Sequence, residues 1–157
     1  MAILIRNATE QDADTLASLN ADVQAVHACA LPWHFKPPGP ETFPRAAVAD
    51  VLAQPDNVVF IAEIDGDTAG YAYAQFVRRD ETSFHYAHDM VYLHHISVRP
   101  AHRRRGVGGA LIGAVRAAAT GADIALVALD VWTFNEEARA FFRRHGFAPY
   151  VERLWNR

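Results

Sequence analysis

The chain has 157 residues, of which 51% are hydrophobic and 21% are charged, and its formal net charge is −3 at pH 7. This length and composition predict one globular domain over residues 1–157, and the slightly acidic balance argues against a dedicated nucleic-acid binder. The single cysteine, Cys29, excludes an internal disulfide framework and suits a reducing compartment; we expect a buried structural thiol. We find no secretory signal and no apolar run long enough to cross a membrane, so we expect a cytoplasmic protein without a membrane partner.

In the first half of the chain, hydrophobic periodicity predicts a strand, two helices and a strand hairpin. Thr9 is a suitable N-cap for the first helix, and Asp65-Gly66 is typical of a hairpin turn. Residues 31–44 hold five prolines and therefore cannot form one regular element. The predicted elements are a strand at 2–6, a helix from Thr9 to about 27–30, a helix at 41–54, and strands at 58–64 and 69–78.

The second half predicts strands that alternate with helices. The strands at 90–98 and 124–131 are joined through a helix that ends at Gly121, so they should run parallel. A helix at 136–145 and a final strand at 147–155 complete the chain. The fold class is therefore α/β, with three layers and a central mixed, largely antiparallel sheet flanked by helices.

The most informative stretch runs from residue 91 to 121, where a strand passes through a basic, glycine-rich turn into a helix. Unpaired N–H groups and the helix dipole favour an anion at such a helix start. Glycines let a ligand approach the backbone, and arginines suit phosphate. The residues concerned are Arg103, Arg104, Arg105, Gly106, Gly108 and Gly109.

Two better-known phosphate loops do not fit this turn. No Gly-Lys-Ser/Thr follows, which excludes a P-loop, and position 111 is Leu where the dinucleotide fingerprint needs Gly. A solvated charged face, or a nucleic-acid contact through the three arginines, remains open as an alternative.

Two segments carry a family resemblance. Ile96-Ser97-Val98-Arg99-Pro100 followed by Arg103-x-x-Gly106-x-Gly108 resembles the acyl-CoA pyrophosphate loop of the GNAT superfamily of N-acetyltransferases. The segment 129–147 resembles the strand, helix and Gly-Phe turn that follow in that family. The resemblance implies an acetyl-CoA-dependent N-acetyltransferase without a metal, whose two parallel strands splay apart to admit the pantetheine arm. A homodimer is common in that family and is expected here.

By this resemblance, the N–H groups of residues 104–109 hold the pyrophosphate, and Ile96 and Val98 pair with the pantetheine amides like an added strand. A backbone N–H near Val98 polarises the thioester carbonyl. Asn135 either contacts the CoA arm or only caps a helix. The predicted cofactor-binding residues are Ile96, Ser97, Val98, Arg103, Arg104, Arg105, Gly106, Val107, Gly108, Gly109, Asn135 and Phe142.

His94 is the first candidate for the base that deprotonates the amine, because it lies four residues before Val98, where family members often place their base. Strand alternation should send His94 and His95 to opposite faces, so that at most one enters the cleft. His95, Tyr92, Asp89 and Glu63 are weaker alternatives.

Phe142 departs from the family pattern, because a tyrosine at the matching position often protonates the leaving sulfur. Tyr92, Ser97, Tyr150 or water could serve instead, or none is needed, since a thiol of pKa ~8.5 leaves tolerably well as thiolate. A domain that binds acyl-CoA without turnover, as a sensor or partner module, is the second hypothesis.

The acceptor is an amine of unspecified kind: a polyamine, an amino acid, an antibiotic, a metabolite or a protein amine. Trp33 and Phe35 lie on the proline-rich loop, and Tyr73 and Tyr92 lie on strands. Binding residues concentrate on loops held by a scaffold. These four aromatic residues are the predicted acceptor contacts.

Overall fold

The computed structural model describes residues 1–157 and contains a five-stranded sheet with helices on both faces. The strand order is β1-β2-β3-β4-β5, antiparallel from β1 to β4 and parallel between β4 and β5. The elements are β1 Ile3–Asn7, α1 Ala13–Ala30, α2 Arg45–Ala53, β2 Asn57–Ile64, β3 Asp67–Arg79, β4 His88–Val98, α3 Val107–Gly121, β5 Val127–Leu129 and α4 Glu136–Arg144. The predicted fold class is confirmed.

Two hydrophobic clusters hold the three layers together. On one face, Leu111 and Val115 of α3 share a buried cluster with sheet residues such as Val91. On the other face, Leu16 of α1 shares a second cluster with Ile61. Because strand side chains alternate between faces, the same strands supply both clusters.

The hairpin between β2 and β3 turns at Asp65 and Gly66, with φ values of 52° and 88°. Positive φ at both central residues is the requirement of the hairpin turn that matches strand twist, and Asp-Gly meets it. The predicted hairpin is confirmed.

Strand β4 contains a β-bulge. In its pairing with β3, Tyr73 lies opposite His95 and Ala74 lies opposite Leu93, so His94 is the extra residue without a partner. A bulge shifts the alternation of the strand by one residue. Consequently Leu93 before the bulge and Ile96 after it both pack toward the α3 cluster.

Strand β5 is much shorter than the predicted strand at 124–131. It pairs with β4 only from Val91 to Leu93, whereas β4 continues to Val98. The N–H of Ile124 bonds to the carbonyl of Ala119 in the last turns of α3, so this residue is held by the helix end and not by a strand. The second half of β4 therefore has no strand on its outer side.

Three sequence predictions are wrong. The predicted final strand at 147–155 does not form, because β5 offers a three-residue edge and Pro149 has no N–H to donate. The second helix begins at Arg45 and not at residue 41, because Pro44 disfavours helical geometry in the residue before it. Cys29 is exposed in the last turn of α1 and is not a buried thiol.

Gly108 lies at a close contact between two helices. A Cβ on Gly108 would lie 2.9 Å from the ring of Phe141 in α4, and one on Gly109 would lie 3.1 Å from His145. These two glycines therefore allow α4 to pack against the start of α3. The sequence interpretation had instead explained both glycines by the approach of a ligand.

We expect Gly108→Ala to lower the free energy of unfolding by about 1–2 kcal/mol, because overpacking outweighs the helix propensity that alanine adds. Gly113→Ala on the same helix is the matched control, since a Cβ at that position would meet no atom within 4 Å. The control should raise that free energy by about 0.5–1 kcal/mol. Urea titrations measure both, and a similar gain in both variants would contradict the packing role.

Candidate active site

The turn before α3 forms a concave set of free N–H groups. Arg104 and Gly106 both have left-handed backbone conformations, with φ of 59° and 88°. No backbone N–H from Arg104 to Gly109 donates a hydrogen bond within the chain. Alternating left- and right-handed residues at a helix start direct successive N–H groups toward one point, which is the geometry of an anion-binding nest. The backbone of this turn therefore has the geometry that binding an anion requires.

The three arginines of this turn have different side-chain partners. The Nε of Arg103 donates to the carbonyl of Val98 at 3.2 Å, and Arg105 contacts the Nδ1 of His102 at 3.1 Å. Arg104 makes no side-chain hydrogen bond or ion pair and is exposed. Of the three, Arg104 is therefore the side chain most available to an incoming phosphate.

The outer edge of β4 continues from this nest. The N–H of Arg99 bonds to the carbonyl of Ala69 in β3 at 2.8 Å, which fixes the alternation of the ladder. Residues one and three positions earlier, Val98 and Ile96, must then direct their N–H and C=O groups away from β3. Since β5 stops pairing at Leu93 of β4, these groups face an open gap.

His94 lies between two tyrosine rings. Its ring stacks on Tyr73 at 4.8 Å between centroids and meets Tyr92 edge-on at 4.8 Å. Its Nε2 lies 2.9 Å from the Oε1 of Gln75, an acceptor, so Nε2 carries the proton and Nδ1 keeps a lone pair. Partial burial lowers the pKa of His94, which favours the neutral form.

His95 belongs to a buried hydrogen-bonded chain. Its Nδ1 lies 3.0 Å from the hydroxyl of Tyr71, which is also bonded to the Nδ2 of Asn20 at 3.0 Å. Its ring meets Phe43 edge-on at 5.5 Å and Tyr73 at 5.3 Å. Burial lowers the pKa of His95 to about 4 and raises the pKa of Tyr71 above its usual range.

The prediction that His94 and His95 lie on opposite faces is wrong. Both rings contact Tyr73, one stacked and one edge-on. The bulge at His94 is the physical reason, because it interrupts the alternation between the two residues. Two histidines with different hydrogen-bond partners thus share one site.

A groove of about 550 Å³ opens beside His94. It is lined by residues of β3 and β4 together with Asp56, which precedes β2. Burial, and to a smaller extent the neighbouring Asp130, raises the pKa of Tyr92 in this groove to about 12, so its hydroxyl stays protonated. The lining residues are Asp56, Gln75, Phe76, Val77, Arg78, Arg79, Met90, Tyr92 and His94.

Trp33 and Phe35 lie in a separate aromatic cluster. Phe35 meets Trp132 edge-on at 5.1 Å, and Trp33 lies 5.4 Å from Trp155 of the C-terminal segment. The guanidinium of Arg157 lies 3.6 Å above the Trp33 ring. Of the four predicted acceptor contacts, the structure brings Tyr73 and Tyr92 to His94 and places Trp33 and Phe35 elsewhere.

Three other predicted residues have structural partners. Ser97 is buried and donates its hydroxyl to the carbonyl of Leu19, so that proton is already engaged. Asn135 caps α4 by accepting from the N–H of Ala138 at 3.1 Å, which leaves its amide nitrogen free. Phe142 is 7% exposed and belongs to the core cluster under α3.

The other candidates for base and acid lie in ion pairs or in solvent. Glu63 pairs with Arg6 at 2.8 Å, and Asp89 lies 3.5 Å from Arg78. Tyr150 is 76% exposed. None of these side chains contacts the Tyr73 ring, which both histidines contact.

Sequence interpretation missed Asn20, Tyr71 and Gln75. Asn20 had a detectable signal, because it is a polar residue on the apolar stripe of α1 and would need a buried partner. Gln75 had none, since its contact with His94 depends on strand register.

No group of three or more His, Cys, Asp or Glu side chains is arranged to hold a metal ion. No helix combines the length and apolar character that crossing a membrane requires.

The depressed pKa of His95 predicts a pH dependence of stability. The unfolded histidine takes a proton near pH 6.5, whereas the folded one takes it only near pH 4, so the free energy of unfolding should fall as pH drops between these values. His95 contributes up to ~1.4 kcal/mol per pH unit to the slope of the free energy of unfolding against pH. Urea titrations across this range should show a shallower decline for His95→Phe, and parallel curves would contradict the burial of His95.

Comparisons with known proteins show which family and which solved structures this chain resembles. The model of the acetyltransferase (GNAT) family matches residues 23–147. A search of curated proteins found no match. A mutant of the BH1408 protein from Bacillus halodurans superposes with a TM-score of 0.94 at 20% identity, covering 98% of each chain.

Two further solved structures carry ligand names. The aminoglycoside N-acetyltransferase AAC(6')-Iy, in complex with a bisubstrate analogue of CoA and acetylneamine, gives a TM-score of 0.76 at 24% identity, covering 100% of this chain and 98% of that one. A predicted acetyltransferase from Clostridium acetobutylicum with acetyl-CoA gives 0.74 at 18% identity, covering 99% and 96%. These identities show a shared fold, and the family match shows descent: the chain belongs to the GNAT acetyltransferase family.

Proposed function

We propose that this protein transfers the acetyl group of acetyl-CoA to the primary amine of a small molecule, by direct attack without a covalent enzyme intermediate. The observation that carries the proposal is a track of backbone groups that have no backbone partner and follow the start of α3 and the outer edge of β4. It begins in the nest of residues 104–109 and continues along Val98 and Ile96 to the bulge at His94. A pyrophosphate and an amide-containing arm need donors and acceptors in that order.

Binding of the co-substrate falls to this track. The nest and the dipole of α3 supply N–H donors and partial positive charge for the pyrophosphate, and Arg104 adds a full charge. The N–H and C=O of Ile96 and the N–H of Val98 would pair with the amides of the arm as a neighbouring strand does, whereas the Val98 carbonyl already accepts from Arg103. The free amide nitrogen of Asn135, on the loop after β5, would contact the arm from the other side.

The chemical step needs a polarised carbonyl and a neutral amine. A backbone N–H of β4 between Val98 and the bulge would donate to the carbonyl oxygen as it gains charge, and donors fixed in advance are typically worth ~3 kcal/mol. His94 would take the proton of the attacking amine on Nδ1, because Gln75 occupies its Nε2. Alkylamines are mostly protonated at neutral pH, so a positioned base contributes directly.

The acceptor would occupy the groove beside His94. Its volume of about 550 Å³ suits a small molecule better than a folded protein surface. The tyrosine rings of Tyr73 and Tyr92 flank His94, and Asp56 supplies a carboxylate for a second cationic group. The aminoglycoside acceptor in the name of AAC(6')-Iy supports a small polyamine-like molecule.

The second hypothesis, an acyl-CoA-binding sensor or partner module without turnover, follows from Phe142. This residue is buried in the core and has no proton for the leaving sulfur. The same track would bind CoA in a sensor, so only turnover separates the two hypotheses.

Arg104→Ala should weaken CoA binding about 10- to 150-fold, because a charge-assisted hydrogen bond contributes about 1.5–3 kcal/mol. Thermal-shift titrations with CoA and acetyl-CoA measure this loss, since a ligand that binds only the folded state raises the melting temperature. Arg45→Ala removes the same charge from an exposed ion pair and should bind like wild type.

If acetyl-CoA leaves the melting temperature of wild type unchanged, the track does not bind the co-substrate. If Arg104→Ala weakens duplex DNA binding while CoA affinity is unchanged, the nucleic-acid alternative holds for this turn.

His94→Ala should lower the rate of acetyl transfer by about 10²–10⁴-fold while CoA binding is retained, because only the proton acceptor is lost. Release of free CoA thiol, measured over a panel of aminoglycosides, polyamines and amino acids, gives the rate. His85→Ala, in the exposed loop between β3 and β4, is the control. Acetyl-CoA binding by wild type without thiol release from any amine would favour the sensor.

A further inference from the structure

The hydroxyl of Tyr71 fixes which nitrogen of His95 carries the proton. Tyr71 is completely buried, and its oxygen accepts from the Nδ2 of Asn20, which can only donate. The proton of Tyr71 then has one acceptor in reach, the Nδ1 of His95 at 3.0 Å. A buried hydroxyl rarely leaves its proton unpaired, because that costs about 1–3 kcal/mol. His95 is therefore the tautomer with its proton on Nε2.

The Nε2 of His95 is not fully enclosed, although most of the ring is. It has no hydrogen-bond partner in the chain, and the fully enclosed side-chain atoms without partners are only Asp22 Oδ2 and Asn57 Oδ1. Phe43 and Tyr73 hold the ring edge-on. Packing alone would not require that the Nε2–H of His95 be fixed in one tautomer and left without a partner.

The two neighbouring histidines present opposite hydrogen-bonding groups. His94 has its proton held by Gln75 and keeps a lone pair on Nδ1, whereas His95 has its lone pair held by Tyr71 and keeps an N–H on Nε2. Both rings contact Tyr73, so the acceptor and the donor lie in the same part of the site. Acyl transfer needs both kinds of group, one for the amine and one for developing negative charge.

We propose that His95 is a second catalytic residue, which donates a hydrogen bond from Nε2 to the sulfur of CoA as the carbon–sulfur bond breaks, with Tyr71 and Asn20 as positioning residues. The inference rests on the proposed acetyl transfer. The usual donor position is Phe142, which has no proton, and the Ser97 hydroxyl is engaged by Leu19. His95 immediately precedes Ile96, where the open edge of β4 begins.

His95 keeps its proton throughout the acetyl transfer. The amine nitrogen forms a bond to the carbonyl carbon, and its proton passes to Nδ1 of His94. The tetrahedral intermediate then expels the thiolate, whose sulfur receives the electron pair of the broken bond and the hydrogen bond from His95. A neutral imidazole is suited to this, since a depressed pKa lets it act as a donor that stays un-ionised. The thiolate later takes a proton from water or from His94.

The first experiment measures the tautomer directly. Long-range ¹H–¹⁵N correlation spectra of histidine-labelled protein distinguish a protonated ring nitrogen from one with a lone pair, and His95→Gln assigns the signal. We expect a protonated Nε2 and an unprotonated Nδ1 at neutral pH, with and without CoA. In Tyr71→Phe this single tautomer should give way to a mixture. A proton on Nδ1 of His95 in wild type would overturn the proposal.

The second experiment separates hydrogen bonding from packing. His95→Phe keeps a ring of similar shape without the donor and should lower kcat about 100-fold with little change in the KM for acetyl-CoA. His95→Gln restores an N–H donor and should recover kcat to within about tenfold of wild type. Melting temperature and CoA affinity of each variant establish that it is folded.

The outcomes separate this proposal from the proposed function. If wild type transfers acetyl and His94→Ala does not, while His95→Phe retains kcat, only the role of His95 fails. Equal losses in His95→Phe and His95→Gln would also overturn it, because the donor would then be irrelevant. If wild type binds acetyl-CoA and acetylates no amine, the proposed function fails and this role fails with it.

Discussion

The structure depends on the point in β4 where regular strand pairing stops on both sides. His94 is extra relative to β3, and β5 pairs no farther than Leu93. Because the bulge shifts alternation by one residue, the backbone N–H and C=O groups of Ile96 and Val98 face the gap that the short β5 leaves open. A regular strand would have directed those groups toward β3. Backbone irregularity here thus creates both the cleft and the histidine pair beside it.

The N-terminal end of α3 completes this arrangement from the other side. Left-handed residues at Arg104 and Gly106 leave the first-turn N–H groups unpaired, and Gly108 lets the Phe141 ring approach within contact. The glycine-rich sequence therefore meets two constraints, one from backbone conformation and one from packing against α4. Such a strained turn persists because the helix and its neighbours hold it in place.

Much of this fold follows from local sequence signals, whereas the site follows only in part. Apolar periodicity and Asp65-Gly66 predict the helices and the hairpin, and the basic turn before α3 is recognisable from its glycines and arginines. The bulge at His94 is not recognisable, since it depends on the register of β3 against β4 and no Gly or Pro marks it. For the same reason alternation misplaces His95. The final strand fails because strand-like residues at 147–155 need an edge that three-residue β5 does not provide.

The burial of Phe142 explains why acid–base chemistry would concentrate on β4. Phe141 packs on Gly108, and Phe142 meets Phe141 and Phe147 edge-on within the α3 cluster. A hydroxyl at position 142 would enter this apolar cluster, where an unpaired polar group is costly. The helix that carries the leaving-group donor in the family pattern is here committed to packing. A buried chain of hydrogen bonds runs from Asn20 through Tyr71 to His95 on β4. His95 offers a donor there, one residue from the acceptor on His94.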